Sequence, residues 1–194
     1  AEQLGRDWQR RFRSFDDTPA AAASVGQVHH AVWADGREVA VKIQYPGAGD
    51  ALDADLRTLE RFSRLFTLIV PALDAKALVR ELRDRMLDEL ARRAEADRQR
   101  RFAAAYAGDP DLHVPAVVAS APKVIVSEWL DGVSRGTMTA RPAATAREQA
   151  LRDDWAHTII QTMFSSPERA GMLHADPHPG NFMVLSDGRL AMID

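Results

Sequence analysis

Two carboxylates and one amide near the end of the chain stand at a spacing that suits phosphoryl transfer. Asp176 lies in the segment HADPHPGN, Asn181 follows it by five residues, and Asp194 follows it by eighteen. Phosphoryl transfer requires a protein mainly to position the reactants and to neutralise charge. A carboxylate can orient an acceptor hydroxyl, while an amide oxygen and a second carboxylate are hard ligands for magnesium. We therefore predict that Asp176 is catalytic and that Asn181 and Asp194 bind the metal.

The two histidines of this segment do not point to one chemistry. His174 and His178 flank Asp176, and histidines beside carboxylates could also indicate a metallohydrolase. Their spacing of four crosses Pro177, so it does not place both rings on one helix face. Packing or solvation of the loop is the more ordinary interpretation of both. Because an Asp followed five residues later by an Asn is common, this segment gains weight only from residues elsewhere.

Lys42 is the most informative of those other residues, since the chain has only three lysines. It lies in the run VAVKI, where Val39 and Val41 alternate with Ala40 and Lys42. Alternation with a period of two predicts a strand whose lysine points away from the aliphatic row. Such a lysine could bind the phosphates of a nucleotide, although a solvated lysine on an edge strand is the alternative when the run is taken alone.

Two further segments are candidates for the same site. The alanines and serine at 20–24 precede the lysine strand, where small side chains would let the backbone approach phosphates closely. Packing is the alternative role for these small residues. An acid that pairs with Lys42 should come from a long predicted helix, and its candidates are Glu81, Glu89 and Glu95. The residue pattern by itself does not choose among the three.

The elements that must position these residues alternate between short strands and helices. Asp35-Gly36 is a strong hairpin turn signal. Periodicity and turn signals predict helices over 3–14, 50–70, 74–107 and 145–164, and strands over 24–34, 37–45, 114–119, 123–129, 182–185 and 190–193. We expect Asp74 to cap the second long helix, with a stop at residues 108–110. This order predicts an α+β fold with a small antiparallel sheet lobe and a helical lobe, divided near the polar connection 131–144.

Composition excludes several kinds of function. The net charge of −3 gives no electrostatic case for nucleic acid, and the absence of cysteine excludes disulfides and thiolate metal sites. The longest apolar stretch, 65–73, is about half of the roughly 20 residues that a membrane-spanning helix needs. We expect the chain to be cytoplasmic and to lack a membrane span, with membrane association only through segments outside it.

Four segments in combination resemble the UbiB/AarF family of atypical, protein-kinase-like proteins. They are AAAASVGQVH, VAVKIQYPG, LDELARRAEADRQRRF and HADPHPGNF, and the resemblance runs from about Phe15 to Asp194. It implies a two-lobed protein-kinase-like fold that binds ATP or ADP with Mg2+ between the lobes. Residues 1–131 would form the N-terminal lobe, and residues 132–194 would begin a truncated C-terminal lobe.

The resemblance also implies roles for individual residues. Lys42 would be the strand lysine, Glu95 its helix partner, and Asp176 the catalytic-loop aspartate. Asn181 and Asp194 would be the metal ligands. The backbone of residues 127–130 would form the hinge that faces adenine. The nucleotide would contact Ala20, Ala21, Ala22, Ala23, Ser24, Val25, Ala40, Lys42, Glu128, Leu130 and Met183.

Three departures from the family pattern accompany this resemblance. Ala91 stands where the Glu-x-Asp element that begins at Glu89 has its aspartate. The family's Lys-x-Gly-Gln motif is missing ahead of the alanine segment, and the Phe-Gly that follows the last metal ligand is missing after Asp194. We therefore expect this chain to be a truncated kinase-like domain.

The sequence supports three hypotheses about function. The first is an atypical kinase or ATPase that transfers or hydrolyses the γ-phosphate of ATP, linked through the family to isoprenoid-quinone or other lipid metabolism, with a lipid or isoprenoid small molecule as a possible partner. The second is a small-molecule phosphotransferase of the aminoglycoside- or choline-kinase type. The third is a regulatory module that senses nucleotide without catalysis, which the alanine segment and Ala91 make credible.

Overall fold

The structure, a computed structural model, divides into two compact units. It describes residues 4–5, 7–23, 26–49, 54–55, 57–58, 77, 81, 92–134 and 142–193. Unit 1 comprises Ala1–Ala96 and Ala119–Val126, and unit 2 comprises Asp97–Val118 and Ser127–Asp194. The sequence assigned residues 97–118 to the N-terminal lobe, whereas they cluster with unit 2. The functional division at residue 131 stays a prediction.

A six-stranded sheet is the main element of unit 1, and its last two strands straddle the division. Its strands are β1 (Phe12–Phe15), β2 (Ala21–Ala23), β3 (Gly26–Trp33), β4 (Glu38–Gln44), β6 (Val117–Ala121) and β7 (Val124–Glu128). They lie in the order β1-β3-β4-β7-β6, and β2 pairs with β3. The antiparallel hairpin of β3 and β4 turns at Asp35-Gly36, where Gly36 has a φ of 98°. The predicted hairpin is thus confirmed.

The two faces of β4 differ as its sequence alternation predicted from Val39 to Lys42, but not at its end, where Gln44 is buried and Ile43 is only partly buried. Val39 and Val41 are 0% exposed, whereas Ala40 and Lys42 on the opposite face are partly exposed. Val41 pairs across the hairpin with His29, and Lys42 pairs with Val28. Burial of the valine row stabilises the hairpin and leaves the lysine on the other face, because successive side chains of a strand alternate.

The helix predicted over residues 3–14 is wrong. A single 3-10 turn spans Trp8–Arg11, and the chain then enters β1, which pairs with β3. The Trp8, Phe12 and Phe15 rings pack edge to face, and the Phe12 ring lies 4.9 Å from the Trp33 ring. Aromatic residues four apart can lie on one face of a helix, but they can also form this cluster. The pairing of β1 with β3 is what makes residues 12–15 a strand.

Unit 2 contains a four-stranded sheet, one whole helix and the larger part of another helix, whose first residues, up to Ala96, belong to unit 1. The helices are α1 (Arg92–Ala105) and α2 (Ala146–Ala170). The strands are β5 (Leu112–His113), β8 (Gly132–Ser134), β9 (Phe182–Leu185) and β10 (Leu190–Met192), in the order β5-β10-β9-β8. The predicted terminal hairpin is confirmed. The hydrophobic core of unit 2 joins both helices to the sheet. Its buried residues include Phe102, Tyr106, Leu112, Trp155, Ile159, Phe182 and Leu190.

Helix α2 begins as predicted but continues six residues further. Thr145 caps its N-terminus by accepting a hydrogen bond from the Glu148 N–H at 3.1 Å. The helix passes through Pro167 and ends at Gly171, whose φ of 69° is left-handed. A proline usually ends a helix because it lacks an N–H, and the environment of Pro167 that permits the continuation is described below.

Several other predictions are settled only in part. Of the helix predicted over 74–107, the structure describes the C-terminal part, which is α1, and Asp74 lies outside the described residues. Most of the helix predicted over 50–70 also lies outside them. The polar connection begins with the short strand β8, and residues 135–141 also lie outside them. Across the part of the chain that is described, no helix is both long and apolar enough to cross a membrane.

Candidate active site

Asp176 and Asn181 form one hydrogen-bonded unit in the loop after α2. The Asn181 Nδ2 donates to Asp176 Oδ2 at 2.8 Å and to the Asp176 carbonyl at 3.3 Å. Asp176 Oδ1 in turn accepts the backbone N–H of His178 at 3.1 Å. Both carboxylate oxygens are therefore fixed by neighbours within five residues.

These contacts keep the Asp176 carboxylate ionised. The hydrogen bond from the Asn181 amide, followed by that from the His178 N–H, lowers the pKa of Asp176 below its usual value. A donor that binds the charged form of an acid lowers its pKa. Asp176 is exposed, so its charge remains accessible to a reactant. It can therefore accept a hydrogen bond from a hydroxyl and orient that hydroxyl.

Asn181 meets the chemical requirements of a magnesium ligand. Its amide nitrogen makes the contacts to Asp176, and its amide oxygen is a hard donor of the kind that magnesium prefers. The Asn181 carbonyl accepts the N–H of Ile193 at 2.9 Å, which ties the loop to the end of β10. Asp194 lies outside the described residues. Within the described ranges no group of three His, Cys, Asp or Glu side chains could hold a metal, but magnesium often takes only one or two protein ligands.

The two histidines of the segment shape the loop. The His174 ring stacks on Phe182 at 5.8 Å and meets Phe102 edge-on at 5.9 Å. Its Nδ1 accepts the Asp176 N–H at 3.3 Å. His178 Nδ1 accepts the Gly180 N–H at 3.1 Å and caps a 3-10 turn at Pro179–Asn181. Both contacts agree with the ordinary interpretation of these histidines as loop residues.

Unit 1 contains the second predicted pair. Lys42 Nζ donates to Glu95 Oε1 at 2.9 Å, and the two side chains are only 16% and 17% exposed. Lys42 is positioned by β4 and Glu95 by the first turn of α1. The structure thus pairs Lys42 with Glu95, one of the three glutamates that the residue pattern left open. Glu89 and Ala91 lie outside the described residues.

The alanine segment differs from the predicted phosphate loop. Ala21–Ala23 form strand β2, antiparallel to β3, and the Ala20 N–H donates to the Val28 carbonyl at 2.8 Å. Ser24 and Val25 lie outside the described residues. Alanines favour a regular strand here because they restrict φ more than glycines would. Ala21 and Ala22 remain exposed on this strand.

Sequence reasoning missed Gly26, the first residue of β3. A Cβ there would lie 2.3 Å from the Ile43 carbonyl oxygen, so only glycine fits between the paired strands. Gly26 pairs in register with Gln44, two residues beyond Lys42. A glycine within a strand signals such a close approach, and the motif VGQV carried that signal.

The predicted hinge is held by a histidine that the sequence did not single out. His113 Nε2 lies 3.0 Å from Glu128 Oε2, which also accepts the Ala116 N–H at 3.2 Å. The Glu128 N–H donates to the Ala116 carbonyl. The Glu128 side chain therefore fixes the strand end from within unit 2, while its backbone role towards adenine stays a prediction.

Three other predicted nucleotide contacts occupy ordinary positions in the fold. Leu130 follows β7 and is partly exposed. Met183 lies on β9, where it pairs with Ala191 and Ser134. Ala40 lies on the Lys42 face of β4. Their roles in binding stay predictions.

Residues 1–194 match the family model described as the ABC1 atypical kinase-like domain. The chain belongs to the ABC1 atypical kinase-like family. This confirms the resemblance to UbiB/AarF proteins that the four sequence segments carry. Rat mitochondrial atypical kinase COQ8B is 40% identical over 196 residues, which are all of this chain and 36% of the relative. The chloroplastic protein ACTIVITY OF BC1 COMPLEX KINASE 1 of Arabidopsis thaliana is 31% identical over 199 residues, with 29% of its length covered.

The ABC1 chain thus spans about a third of the length of these curated relatives. Their names place them in mitochondria or chloroplasts, and a cytoplasmic location for this chain stays a prediction.

Solved structures confirm the predicted kinase-like α+β fold. The complex of Rv3197 with erythromycin from Mycobacterium tuberculosis has a TM-score of 0.86 and 48% identity, covering 98% of this chain and 47% of that one. Residues 1–466 of Rad53, in complex with AMP-PNP, have a TM-score of 0.51 and 16% identity, covering 95% of this chain and 38% of that one. The likeness to Rad53 supports the fold alone.

Proposed function

We propose that this ABC1 chain binds ATP with magnesium and transfers or hydrolyses the γ-phosphate. The observation that carries the proposal is the Asp176–Asn181 unit, in which an ionised carboxylate and an amide are fixed at 2.8 Å. Family membership supports it, because the full chain matches an atypical kinase-like domain.

Asp176 orients the acceptor in this proposal. Its carboxylate accepts a hydrogen bond from the attacking alcohol or water and takes the proton late in the reaction, because an Asp with a lowered pKa is too weak a base to remove it early. Asn181 restrains the carboxylate from one side and the His178 N–H restrains it from the other. Such preorganisation lowers the cost of orienting the acceptor.

Lys42 binds the α- and β-phosphates, and Glu95 holds the ammonium group in place. Both side chains are mostly buried, which strengthens their electrostatic interaction relative to water. The alanine segment, with the backbone of residues 127–130, supplies the remaining contacts to the nucleotide.

Asn181 and Asp194 would hold the magnesium ion, which, when bound, neutralises charge on the phosphates. The Asn181 amide oxygen and a carboxylate match the preference of this ion for a few hard oxygen ligands.

The family resemblance extends the proposal to a biological setting. We propose that the activity serves isoprenoid-quinone or other lipid metabolism, with a lipid or isoprenoid molecule as the acceptor or as an effector. The atypical kinases coq-8 and COQ8B are among the relatives.

The decisive experiment replaces the carboxylate and retains its shape. In the full-length protein, Asp176→Asn should lower magnesium-dependent ATP turnover by about 100-fold or more, while nucleotide affinity stays within about twofold of wild type. Asp187→Asn is the matched control, because Asp187 lies in the β9–β10 turn, where its carboxylate accepts hydrogen bonds from Arg189. Turnover of Asp176→Asn near the wild-type rate would contradict the proposed role. Binding without turnover in the wild type would favour the regulatory module.

A macrolide is a second candidate ligand. The observation that favours it is the erythromycin complex of Rv3197, which is 48% identical over 98% of this chain. Macrolides carry hydroxyl groups that could accept a phosphoryl group, which agrees with the small-molecule phosphotransferase hypothesis. Incubation with erythromycin and Mg-ATP, followed by mass spectrometry, should reveal a phosphorylated macrolide if the compound is an acceptor. An unchanged mass with measurable erythromycin binding would leave it as a ligand only.

A further inference from the structure

A buried hydroxyl lies between helix α2 and the Asp176 loop. Ser166 is 0% exposed and immediately precedes Pro167 within the helix. A buried polar group costs stability unless it is hydrogen-bonded. The two contacts that its oxygen makes therefore explain why a serine is tolerated in this apolar part of unit 2.

The first contact compensates for the proline. In a regular helix the N–H of residue 167 would donate to the carbonyl of Met163, but Pro167 has no N–H. The Ser166 Oγ donates to the Met163 carbonyl instead, at 3.1 Å. This contact helps α2 to continue past the proline to Ala170. It also commits the hydroxyl hydrogen to the helix and leaves the oxygen lone pairs available.

The second contact uses a lone pair to hold the loop. The backbone N–H of His174 donates to Ser166 Oγ at 3.1 Å, across eight residues. The His174 ring is packed by Phe102 and Phe182, and its Nδ1 accepts the N–H of Asp176. Three hydrogen bonds, linked through the covalent structure of Ser166 and His174, therefore connect the Met163 carbonyl to the backbone of Asp176.

We propose that Ser166 is a positioning residue that fixes the start of the Asp176 loop through His174. It lies two hydrogen bonds away from Asp176 and does not touch a reactant. Pro167 contributes by freeing the Met163 carbonyl, which directs the hydroxyl hydrogen away from the loop. The consequence for ATP turnover rests on the proposed function, whereas the consequence for the loop itself does not.

The test compares two neighbouring serines of the same helix in the full-length protein. Ser166→Ala removes the acceptor of the His174 N–H, while Ser165→Ala removes a hydroxyl whose partner, among the described residues, is the Tyr106 hydroxyl at 3.2 Å. Hydrogen exchange of a peptide over residues 172–182 should become about 10-fold faster in Ser166→Ala and stay unchanged in Ser165→Ala. If Ser166→Ala does not fold, Ser166→Cys keeps a side chain of the same shape, slightly larger, and weakens both hydrogen bonds because a thiol is a weak donor and acceptor.

Turnover gives a second readout that a purely structural role would not produce. The kcat of Ser166→Ala should fall by about 10-fold with the KM for ATP unchanged. The reason is that the Asp176 carboxylate, which orients the acceptor, is misplaced while the nucleotide still binds. Unchanged exchange in Ser166→Ala, or an equal increase in Ser165→Ala, would overturn the proposal. Faster exchange with wild-type kcat would overturn it as well. Absence of turnover in the wild type would contradict the proposed function only, and the exchange contrast would still decide the role of Ser166.

Discussion

The Lys42–Glu95 pair and the Asp176–Asn181 pair are assembled in different ways. Lys42 and Glu95 are 53 residues apart, and a strand and a helix of unit 1 bring them to 2.9 Å. Asp176 and Asn181 are five residues apart, and one loop of unit 2 holds them at 2.8 Å with the help of its own backbone. The first pair depends on tertiary structure, and the second depends mainly on local chain geometry.

This difference determines what a substitution can disturb. A local pair loses little when distant parts of the fold loosen, because its ends are joined by a short loop with a small closure entropy. A pair on separate elements forms only while both elements keep their places. Changes in the loop should therefore affect turnover with little change in stability, whereas changes around Lys42 should affect both.

The largest effect is expected inside the local pair. Asn181→Ala removes the amide donor to Asp176 and the oxygen that would bind magnesium. Turnover should fall by about 100-fold or more, as when one preorganised electrostatic group is lost from an active site. The pKa of Asp176 should rise towards its ordinary value, because its first cause of lowering is gone. Steady-state kinetics across a magnesium series measures the first effect, and thermal unfolding should change little.

Gln149→Ala is the matched control for the lost amide. Gln149 is exposed on α2, where its side chain donates to Asp153 at 2.8 Å. Its loss should leave turnover and magnesium dependence unchanged. Turnover of Asn181→Ala within about threefold of wild type would contradict the metal-ligand assignment.

The long-range pair should show coupled effects on turnover. Lys42→Met and Glu95→Gln should each lower kcat/KM for ATP by about 10- to 100-fold. The double variant should be no worse than Lys42→Met, because Glu95 acts by holding the lysine at 2.9 Å. The four rates form a double-mutant cycle that isolates this interaction.

An exposed ion pair on α1 provides the control cycle. Asp97 and Arg100 approach to 2.7 Å but are 73% and 42% exposed, so Asp97→Asn and Arg100→Gln should leave kcat/KM nearly unchanged. Additive losses from Lys42→Met and Glu95→Gln would show that the two residues act independently, against the proposed pairing.

A smaller effect is expected where the lysine strand meets its neighbour. Gly26→Ala would place a Cβ 2.3 Å from the Ile43 carbonyl, so β3 and β4 must separate beside Lys42. The free energy of unfolding should fall by about 1–3 kcal/mol, and the KM for ATP should rise. Gly47→Ala, where a Cβ would meet nothing within 4 Å, strains only the backbone and should leave that KM unchanged. An unchanged KM in Gly26→Ala would separate the hairpin from nucleotide binding.

Local chemistry explains which parts of the fold the sequence could predict. Turn residues and alternation specify the hairpins at Asp35-Gly36 and at 186–188, because both signals act within a few residues. The spacing of Asp176 and Asn181 predicted that both belong to one site, whereas their direct hydrogen bond is a finding of the structure. The predicted α+β class followed from the order of these elements.

Long-range contacts explain what could not be predicted. Periodicity could not choose among Glu81, Glu89 and Glu95, because the choice requires the placement of a helix against a strand; the assignment of Glu95 came from the family resemblance. Pairing with β3 turned residues 12–15 from the predicted helix into a strand. Ser166 was missed because a serine beside a proline is read as a helix end, whereas its partner His174 lies eight residues further on.

The smallest effect concerns a long-range pair outside the candidate site. Asp109 accepts Arg169 Nη1 at 2.8 Å across 60 residues, and the Arg169 guanidinium lies 3.9 Å from the centre of the Tyr106 ring. Burial alone would raise the pKa of Asp109, but hydrogen bonds from Arg169 and from the backbone N–H groups of residues 111 and 112 outweigh it and lower that pKa. Asp109→Asn keeps an oxygen for the backbone donors, removes the charge and replaces the oxygen that accepts from Arg169 with an NH2 group.

At pH 7 we expect Asp109→Asn to lower the free energy of unfolding by about 1–2 kcal/mol, with turnover unchanged. A lowered folded pKa means that the unfolded state binds the proton first, so this contribution is complete above the usual Asp value of about 3.9 and is lost as the pH falls through the folded pKa. Denaturant unfolding at pH 7 and at pH 3 should therefore show the difference between wild type and variant shrinking. In an Arg169→Gln background the cost of Asp109→Asn should be smaller, because the charged partner is gone. An equal cost at both pH values would show that the lost charge is not the cause.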